Sequence, residues 1–265
     1  METSESEAVK NFCFTVDDNI RFLREICERG YESIFEHPYL AMYKGLHEKY
    51  DLKIQLNLFY EDKKFNLSEM TERYRDEWAA CSDWLRLSFH SRIENSRPYE
   101  LSGYDEVFGD CAEVQREIVR FASSDSLAKT TTVHYCLATA EGVAALKDNG
   151  VLGLLGLYGG SPSYQNSPEE CALIDRGETV VSDGIAYAAI DVIMNKYSKE
   201  QILDKLSSLL GRELIKVMIH EQYFYPDYPR YQPDFERKID AAFGSLTSIG
   251  YKSIFFEEWT DKNEY

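Results

Sequence analysis

Residues 11–19 read NFCFTVDDN, an apolar run that ends in two aspartates and an asparagine. The run from Phe12 to Val16 predicts a buried β-strand, and Asp17-Asp18-Asn19 ends it. In parallel α/β folds, functional groups collect where strands end, because the loops that follow the strands share one edge of the sheet. This segment therefore predicts a strand of the central sheet, with a candidate site at its carboxyl end.

Outward from this strand, β-rich runs alternate with helical patterns along the chain. Strands are predicted at 12–16, 53–60, 84–90, 130–137, 151–158, 187–194, 214–220 and 252–256, and helices at 20–29, 37–50, from 67 onward, 106–122, 141–148, 199–210 and 233–249. Seven or eight strands alternating with helices, without a break in composition, predict one α/β barrel domain with mostly parallel strands. An open, doubly wound sheet is the alternative. A polar N-terminal tail is expected at 1–10 and the single domain at 11–265.

The chain of 265 residues is strongly acidic, with 46 Asp and Glu against 29 Lys and Arg and a net charge of −17. Such a field repels phosphate backbones and anionic lipids, which argues against nucleic-acid and membrane partners. No apolar run approaches the roughly 20 residues of a membrane span, and the first residues lack a secretory signal. Six scattered cysteines without a C-x-x-C pair indicate free thiols, so the expected location is the cytoplasm. Cys13 and Cys136 lie within apolar runs and are predicted to be buried.

Polar side chains also close two other predicted strands. His90 ends the strand 84–90, His220 ends the strand 214–220, and Glu94 follows His90 by four positions. One helical turn after His90 would bring Glu94 onto the same face. Asp18, His90 and Glu94 then suffice for a divalent-metal site with a position left open for water. Asp17 beside this site is the candidate base, and His220 across its mouth is the candidate acid.

Each of these groups also has a purely structural interpretation. A strand-ending Asp-Asp-Asn is typical of a turn or a helix N-cap, and a lone histidine at a strand end is often only a hydrogen-bonded structural residue. Glu94 fits a solvated loop charge. His134, inside the predicted strand 130–137, fits a core histidine as well as a pocket group. The coincidence of three ligand-type clusters at three strand ends favours the functional interpretation.

The same three clusters resemble motifs of a known family, the polysaccharide deacetylases of the nodulation-deacetylase type. Residues 15–19, TVDDN, resemble its T-F-D-D-G motif, and residues 88–94, SFHSRIE, resemble its H-[ST]-x-x-H motif. Residues 217–220, VMIH, resemble its late L-x-H strand. The resemblance runs from about Asn11 to Phe256. It implies a distorted (β/α) barrel, usually counted as seven-stranded.

The resemblance also implies a role for four of these residues. Asp17 corresponds to the catalytic base, and Asp18 to the aspartate that binds the metal. His90 corresponds to the first metal-ligating histidine of the family, and His220 to the histidine that acts as catalytic acid.

Three positions depart from the family pattern. Glu94 stands where the family has its second metal-ligating histidine, and Asn19 replaces the turn glycine. The R-P-P-Y-G motif, whose arginine orients the base, has no clean counterpart, and residues 132–135, TVHY, occupy that region.

We therefore predict a metal-dependent hydrolase that acts on an N-acyl (amide) or ester bond. The amide case, a carbon–nitrogen bond other than a peptide bond, is the favoured enzyme class. The substrate is expected to be a sugar or another small metabolite. Zinc or manganese is the expected ion, with nickel, cobalt and iron as alternatives. The first alternative function is a catalytically inactive barrel that binds a sugar or metabolite. The second is a different hydrolase on the same barrel, acting on a small cytosolic amide.

Overall fold

The computed structural model describes residues 9–94, 98–160 and 163–262. Residues 1–8 of the predicted tail lie outside the described residues, as do 95–97, 161–162 and 263–265 of the predicted domain. No helix in the described ranges is long and apolar enough to cross a membrane.

Ten strands and nine α-helices make up the described part of the chain. The strands are β1 (Asn11–Asn19), β2 (Ile54–Glu61), β3 (Leu85–Ile93), β4 (Thr130–Thr131), β5 (Gly153–Gly156), β6 (Val180–Ser182), β7 (Ile185–Ala189), β8 (Val192–Ile193), β9 (Leu214–His220) and β10 (Lys252–Ser253). The helices are α1 (Arg21–Arg29), α2 (Pro38–Tyr50), α3 (Arg75–Ala80), α4 (Tyr104–Phe121), α5 (Ala140–Asp148), α6 (Pro168–Asp175), α7 (Lys199–Ser208), α8 (Phe235–Ser248) and α9 (Phe256–Lys262).

The strands form two sheets, ordered β3-β2-β1-β9-β8 and β4-β5-β7-β6, with β10 paired to the start of β1. Among the described strands all pairs are parallel except β6 with β7. Backbone hydrogen bonds continue beyond the named strands: Leu87 N–H of β3 donates to the Ser126 carbonyl, upstream of β4, and Asp191 N–H, between β7 and β8, donates to the Lys216 carbonyl of β9, each at 2.8 Å. The predicted α/β fold with mostly parallel strands is therefore confirmed, in two sheets.

Several predicted boundaries differ from the structure. The predicted strand 130–137 is a strand only at Thr130–Thr131, and the predicted strand 187–194 divides into β7 and β8. The predicted strand 252–256 is shorter, because α9 begins at Phe256. The hairpin of β6 and β7 turns at Asp183-Gly184, where both residues have positive φ (50° and 77°). An Asp-Gly pair is a known hairpin signal, which the sequence analysis did not use.

Strand β1 is buried on both faces, which explains its central place. Phe12 and Phe14 belong to the large core under the helices, and both rings contact Phe243 of α8, with centroids 4.9 and 4.8 Å apart. Cys13 points the other way into a smaller apolar cluster with Cys136 and residues of β5, β7 and β9. Side chains alternate in a strand, so an almost uniformly apolar run suits a strand that packs on both sides.

The carboxylate of Glu221, just after β9, holds the start of helix α1. It accepts hydrogen bonds from the backbone N–H groups of Ile20 (2.8 Å), Arg21 (3.0 Å) and Phe22 (2.7 Å) and from the Tyr225 hydroxyl (2.8 Å). No side chain of the helix itself caps that end. Burial raises the pKa of Glu221 to about 7, although the four hydrogen bonds favour the ionised form. Glu221 thus ties the carboxyl ends of β1 and β9 together.

We expect Glu221→Ala to lower the free energy of unfolding by about 2–4 kcal/mol, because three buried backbone N–H groups lose their acceptor. Chemical denaturation monitored by circular dichroism measures the change. Glu236→Ala, at an exposed position in the first turn of α8, is the control and should change stability by less than about 0.5 kcal/mol. Equal effects of the two substitutions would contradict the capping role.

The structure confirms the prediction that Cys13 and Cys136 are buried, and all six cysteines are free thiols. Burial raises the pKa of the Cys13 thiol to about 12 and that of Cys136 further. Both thiols should therefore react with a thiol reagent only when the protein unfolds, whereas half-buried Cys171 should react faster. Mass spectrometry after timed labelling of the native protein measures the order. Labelling of Cys13 as fast as Cys171 would contradict it.

Candidate metal centre

An irregularity in β1 places both aspartates in one cavity. In the pairing of β1 with β2, Val16 lies opposite Leu56 but Asn19 lies opposite Leu58, so Asp17 and Asp18 together span a single partner position. Asp18 also has a φ of 63°, in the left-handed region that Asp tolerates better than most residues. Neighbours in a regular strand point to opposite faces, and a β-bulge removes that restriction.

A second irregularity lies opposite the first, in β3. Leu58 pairs with Phe89 and Phe59 pairs with Ser91, which leaves His90 without a pairing partner on β2. On the other side of β1, the register runs without interruption to Asp17 opposite His220 of β9. Strands β3, β1 and β9 of one parallel sheet, with β2 between β3 and β1, therefore bring their polar ends to the same edge.

These ends line a cavity of about 390 Å³. All five residues predicted for the site border it, and so does His134; the lining residues are Asp17, Asp18, His90, Glu94, His134, Tyr135, Cys136, Leu157, Ile193, Lys196, Met218, His220, Gln222, Tyr223, Tyr228 and Arg230.

Three potential metal ligands converge at one wall of this cavity. The Nε2 atom of His90 lies 3.1 Å from Asp18 Oδ1 and 3.1 Å from Nδ1 of His134, and His134 Nδ1 lies 3.3 Å from Asp18 Oδ1. Donor atoms held about 2.1 Å from one ion, at right angles or in a tetrahedron, are about 3.0–3.4 Å apart. The spacing of the three atoms fits a single divalent cation.

The hydrogen bonds around the cluster orient the ligand atoms. Nδ1 of His90 lies 2.5 Å from the Thr132 carbonyl oxygen, and since that oxygen only accepts, Nδ1 carries the proton and Nε2 is free to bind an ion. Gln222 donates from Nε2 to Oδ2 of Asp18 at 2.7 Å, which leaves Oδ1 toward the histidines. When neither Nε2 of His90 nor Nδ1 of His134 carries a proton, the three atoms are acceptors in mutual contact, which repel one another unless a cation lies between them. The donor set therefore suits a metal ion.

The charges of the cluster are strongly coupled. Burial alone would raise the pKa of Asp18, but its hydrogen bonds with His134 and His90 hold that pKa well below the usual value. Burial opposes the charged form of His90, yet the carboxylates of Asp17 and Asp18 raise its pKa. Burial lowers the pKa of His134. The site thus holds an ionised Asp18 beside imidazoles.

Asp17 stands next to the cluster without being part of it. Its side chain is buried, and Oδ1 accepts a hydrogen bond from Nδ2 of Asn57 at 2.7 Å. Burial raises the pKa of Asp17, against the opposing effect of His90 and His220. A carboxylate whose proton affinity is raised in this way suits proton abstraction.

His220 is the second predicted catalytic residue, and it borders the same cavity. Its Nδ1 donates to Oδ1 of Asn195 at 2.9 Å, which fixes the ring and leaves Nε2 for proton transfer. Asn195 follows β8, the neighbour of β9, so one more parallel strand supports this side of the cavity.

Glu94 borders the cavity but lies outside the cluster of three ligand atoms. A helical turn was predicted after His90, but β3 continues in extended form to Ile93. Residues four apart in a strand are separated by about 13 Å, against about 6 Å on one face of a helix. Glu94 therefore lies at the rim, with an exposed side chain. Partial loss of solvent around its carboxylate, followed by the nearby charge of Asp18, raises its pKa.

His134 is the residue whose position the sequence analysis did not resolve. It was expected inside a strand, but β4 ends at Thr131, and positive φ values at Tyr135 (60°) and Cys136 (57°) turn the chain sharply after it. His134 thus follows the end of β4, whereas His90 and Asp18 lie within the last residues of β3 and β1. One feature of the sequence could have indicated that His134 belongs to the site: it lies in the region that corresponds to the family's R-P-P-Y-G motif.

The chain was compared with known proteins. Neither family models nor curated proteins match it in sequence. Solved structures do match in fold: a Mycobacterium smegmatis protein assigned to the polysaccharide deacetylases has a TM-score of 0.60 at 8% identity, over 98% of this chain and 92% of that one. The 4-α-glucanotransferase of Thermococcus litoralis has a TM-score of 0.61 at 14% identity, over 96% of this chain.

This chain spans only 40% of the length of the glucanotransferase. A peptidoglycan deacetylase of Bacillus subtilis also matches, at 13% identity over 96% of this chain and 93% of that one, but its TM-score of 0.47 is too low to carry an argument. At such identities the likeness concerns the fold alone. The resemblance to polysaccharide deacetylases noted in the motifs is thus supported at the level of the fold.

Proposed function

We propose that this protein is a metal-dependent hydrolase that removes an acyl group from a sugar or another small metabolite. The observation that carries the proposal is the convergence of Asp18 Oδ1, His90 Nε2 and His134 Nδ1 within 3.1–3.3 Å of one another, beside Asp17 and in one cavity with His220. A deacetylase-like fold supports a reaction at an amide bond.

In this proposal His134 takes the place that the sequence analysis gave to Glu94. The ligands would then be two imidazoles and one carboxylate, the same types that the family pattern implies, with the second histidine supplied by the loop after β4. Two imidazoles suit zinc better than the single-histidine set does, and manganese, nickel, cobalt and iron remain the alternatives.

A divalent ion at this position would supply Lewis-acid activation of water and of the acyl carbonyl. Asp17 would accept the proton of the attacking water, with Asn57 holding its carboxylate in place. His220 would give a proton to the leaving amine or alcohol from Nε2, while Asn195 holds Nδ1. Base and acid would thus act from adjacent positions of β1 and β9.

The size of the cavity supports a small substrate. A volume of about 390 Å³ is within the range of small-molecule sites and admits one acylated sugar or a metabolite of similar size. Tyr223 and Tyr228 form part of its wall and offer rings for stacking against a flat ligand face. Six free cysteines are consistent with a cytoplasmic location, which we also propose.

We expect His134→Ala to weaken zinc binding at least about 30-fold, since one carboxylate and one imidazole hold a transition metal poorly. Glu94→Ala, at the rim of the same cavity, is the matched control and should change zinc affinity by less than about threefold. Competition with a chromophoric chelator measures both, and elemental analysis of protein purified without chelator identifies the ion.

The two substitutions also separate the two possible ligand sets. A large loss with Glu94→Ala and little change with His134→Ala would return Glu94 to the ligand set. Unchanged zinc affinity in both His134→Ala and His90→Ala would overturn the metal site.

We expect Asp17→Asn to retain zinc with unchanged affinity while lowering hydrolysis of N-acetyl sugars by about 10²–10⁴-fold, because Asn cannot accept the proton from water. A screen of N-acetylated sugars and amino acids, with release of acetate as the readout, measures the rate. Tight binding of such a compound by the wild-type zinc protein without any acetate release would instead support the alternative function, a barrel that binds without turnover.

A further inference from the structure

The lining of the cavity contains both acidic and basic side chains. It includes three carboxylates, Asp17, Asp18 and Glu94, and two cationic side chains, Lys196 and Arg230. Resting on the proposed function, we infer that the substrate carries a negatively charged group, a carboxylate or a phosphate, which Lys196 and Arg230 bind while the acyl group lies at the metal ligands.

The two cations differ from the other basic residues near the cavity. Arg21 and Arg24, which line the adjoining cavity, are held by the carboxylates of Asp227 and Asp62 at 2.6 and 2.5 Å. Lys196 and Arg230 are exposed and form no ion pair with any residue among 9–94, 98–160 and 163–262. In a chain with 46 acidic and 29 basic side chains, carboxylate partners are abundant, so two cations left unpaired at one cavity are available to a ligand.

The segments that carry the two cations are joined. Nε2 of Gln232, two residues after Arg230, donates to the backbone carbonyl of Asn195, immediately before Lys196, at 2.7 Å. Oε1 of Gln232 accepts from Nζ of the buried Lys238 at 2.8 Å, which fixes the amide. The turn of Lys196 and the loop of Arg230 therefore have a defined relative position before any ligand binds, which lowers the entropic cost of binding an anion between them.

The same turn contains the partner of the candidate acid. Asn195 accepts from His220 through its side chain and from Gln232 through its backbone. An anion on Lys196 thus lies one residue from the group that orients His220. The substrate would then be oriented with its charged group on the His220 side and its acyl group toward Asp18, His90 and His134.

The charge of the loaded cavity agrees with an anionic substrate. With neutral His90 and His134 as ligands and His220 protonated as the proposed acid, the three carboxylates, a divalent ion and the two cations leave two positive charges, whereas the same cavity without Lys196 and Arg230 has no net charge. A substrate with one negative group is attracted by the first arrangement and not by the second. The preference for charged over neutral substrates is therefore assigned to these two side chains.

Binding of matched probes tests this assignment independently of turnover. The probes are N-acetylglucosamine, its 6-phosphate, and N-acetylmuramic acid, which carries a carboxylate. Calorimetry with zinc-loaded protein in the Asp17→Asn background prevents their consumption. We expect one of the anionic probes to bind at least about tenfold more tightly than the neutral sugar, and its identity distinguishes phosphate from carboxylate.

Substitutions then test which side chains cause the preference for anionic over neutral probes. Lys196→Gln and Arg230→Gln should each lower it about threefold to tenfold, and the double variant should abolish it, with affinity for the neutral sugar unchanged. Lys252→Gln, at the opposite edge of the sheet beside the start of β1, and Arg237→Gln, on the exposed side of α8, are the charge-matched controls and should have no effect. The preference should also fall as salt is raised from 0.05 to 0.5 M, about a threefold change in screening length.

Gln232→Leu tests the tether, since it keeps both cations but removes the hydrogen bonds of Gln232 to the Asn195 carbonyl and to Lys238. It should lower the preference for the anionic probe while leaving the affinity for the neutral sugar and the circular dichroism spectrum unchanged. Equal binding of neutral and anionic probes, no binding of either anionic probe, or a preference that persists in the double variant would each overturn the inference. If the protein released acetate from a neutral sugar but bound neutral and anionic probes equally, the anion site would be wrong and the hydrolase proposal would stand. If it bound anionic probes more tightly but released no acetate from any sugar, the anion site would stand and the hydrolase proposal would fail.

Discussion

Two irregularities in strand pairing determine what the carboxyl edge of the sheet presents. In β1, Asp17 and Asp18 together face one position of β2, and in β3, His90 has no partner on β2. A regular ladder would alternate these side chains between the helix layer and the interior of the fold. The bulges instead let two consecutive aspartates border one cavity, and they bring His90 within 3.1 Å of Asp18. The contact between Asp18 and His90 thus follows from this local departure from regular geometry.

The surrounding structure must stabilise such an arrangement, because burying carboxylates and imidazoles together is unfavourable without partners. Here three of the buried groups have one: Asn57 for Asp17, Gln222 for Asp18 and the Thr132 carbonyl for His90, whereas Nε2 of His134 has none among the described residues. Glu221, directly after β9, also stabilises this edge, because its carboxylate accepts hydrogen bonds from the first turn of α1. These contacts come from three segments, namely β2, the loop after β4 and the turn after β9, so the geometry of the site depends on several strands of the parallel edge.

The chain follows the deacetylase pattern in the types of its groups while departing from it in their positions. The family motif takes both metal-ligating histidines from one segment, whereas this chain has Glu94 there and offers His134 from the loop after β4. A parallel sheet permits such an exchange, since loops after different strands reach the same edge.

The sequence alone determined the strand–helix alternation, the central place of the run 11–19 and the residue types at the strand ends, because apolar periodicity reflects burial directly. It also identified Asp17, Asp18, His90 and His220 as neighbours, since parallel strands share an edge. Only the tertiary structure decided that Glu94 stands apart from the cluster and that His134 belongs to it. That choice depends on whether β3 continues past His90 and where β4 ends, and strand pairing with distant segments fixes both. The joining of Lys196 to Arg230 through Gln232 and Asn195 is likewise a contact between segments far apart in the chain, which no local pattern encodes.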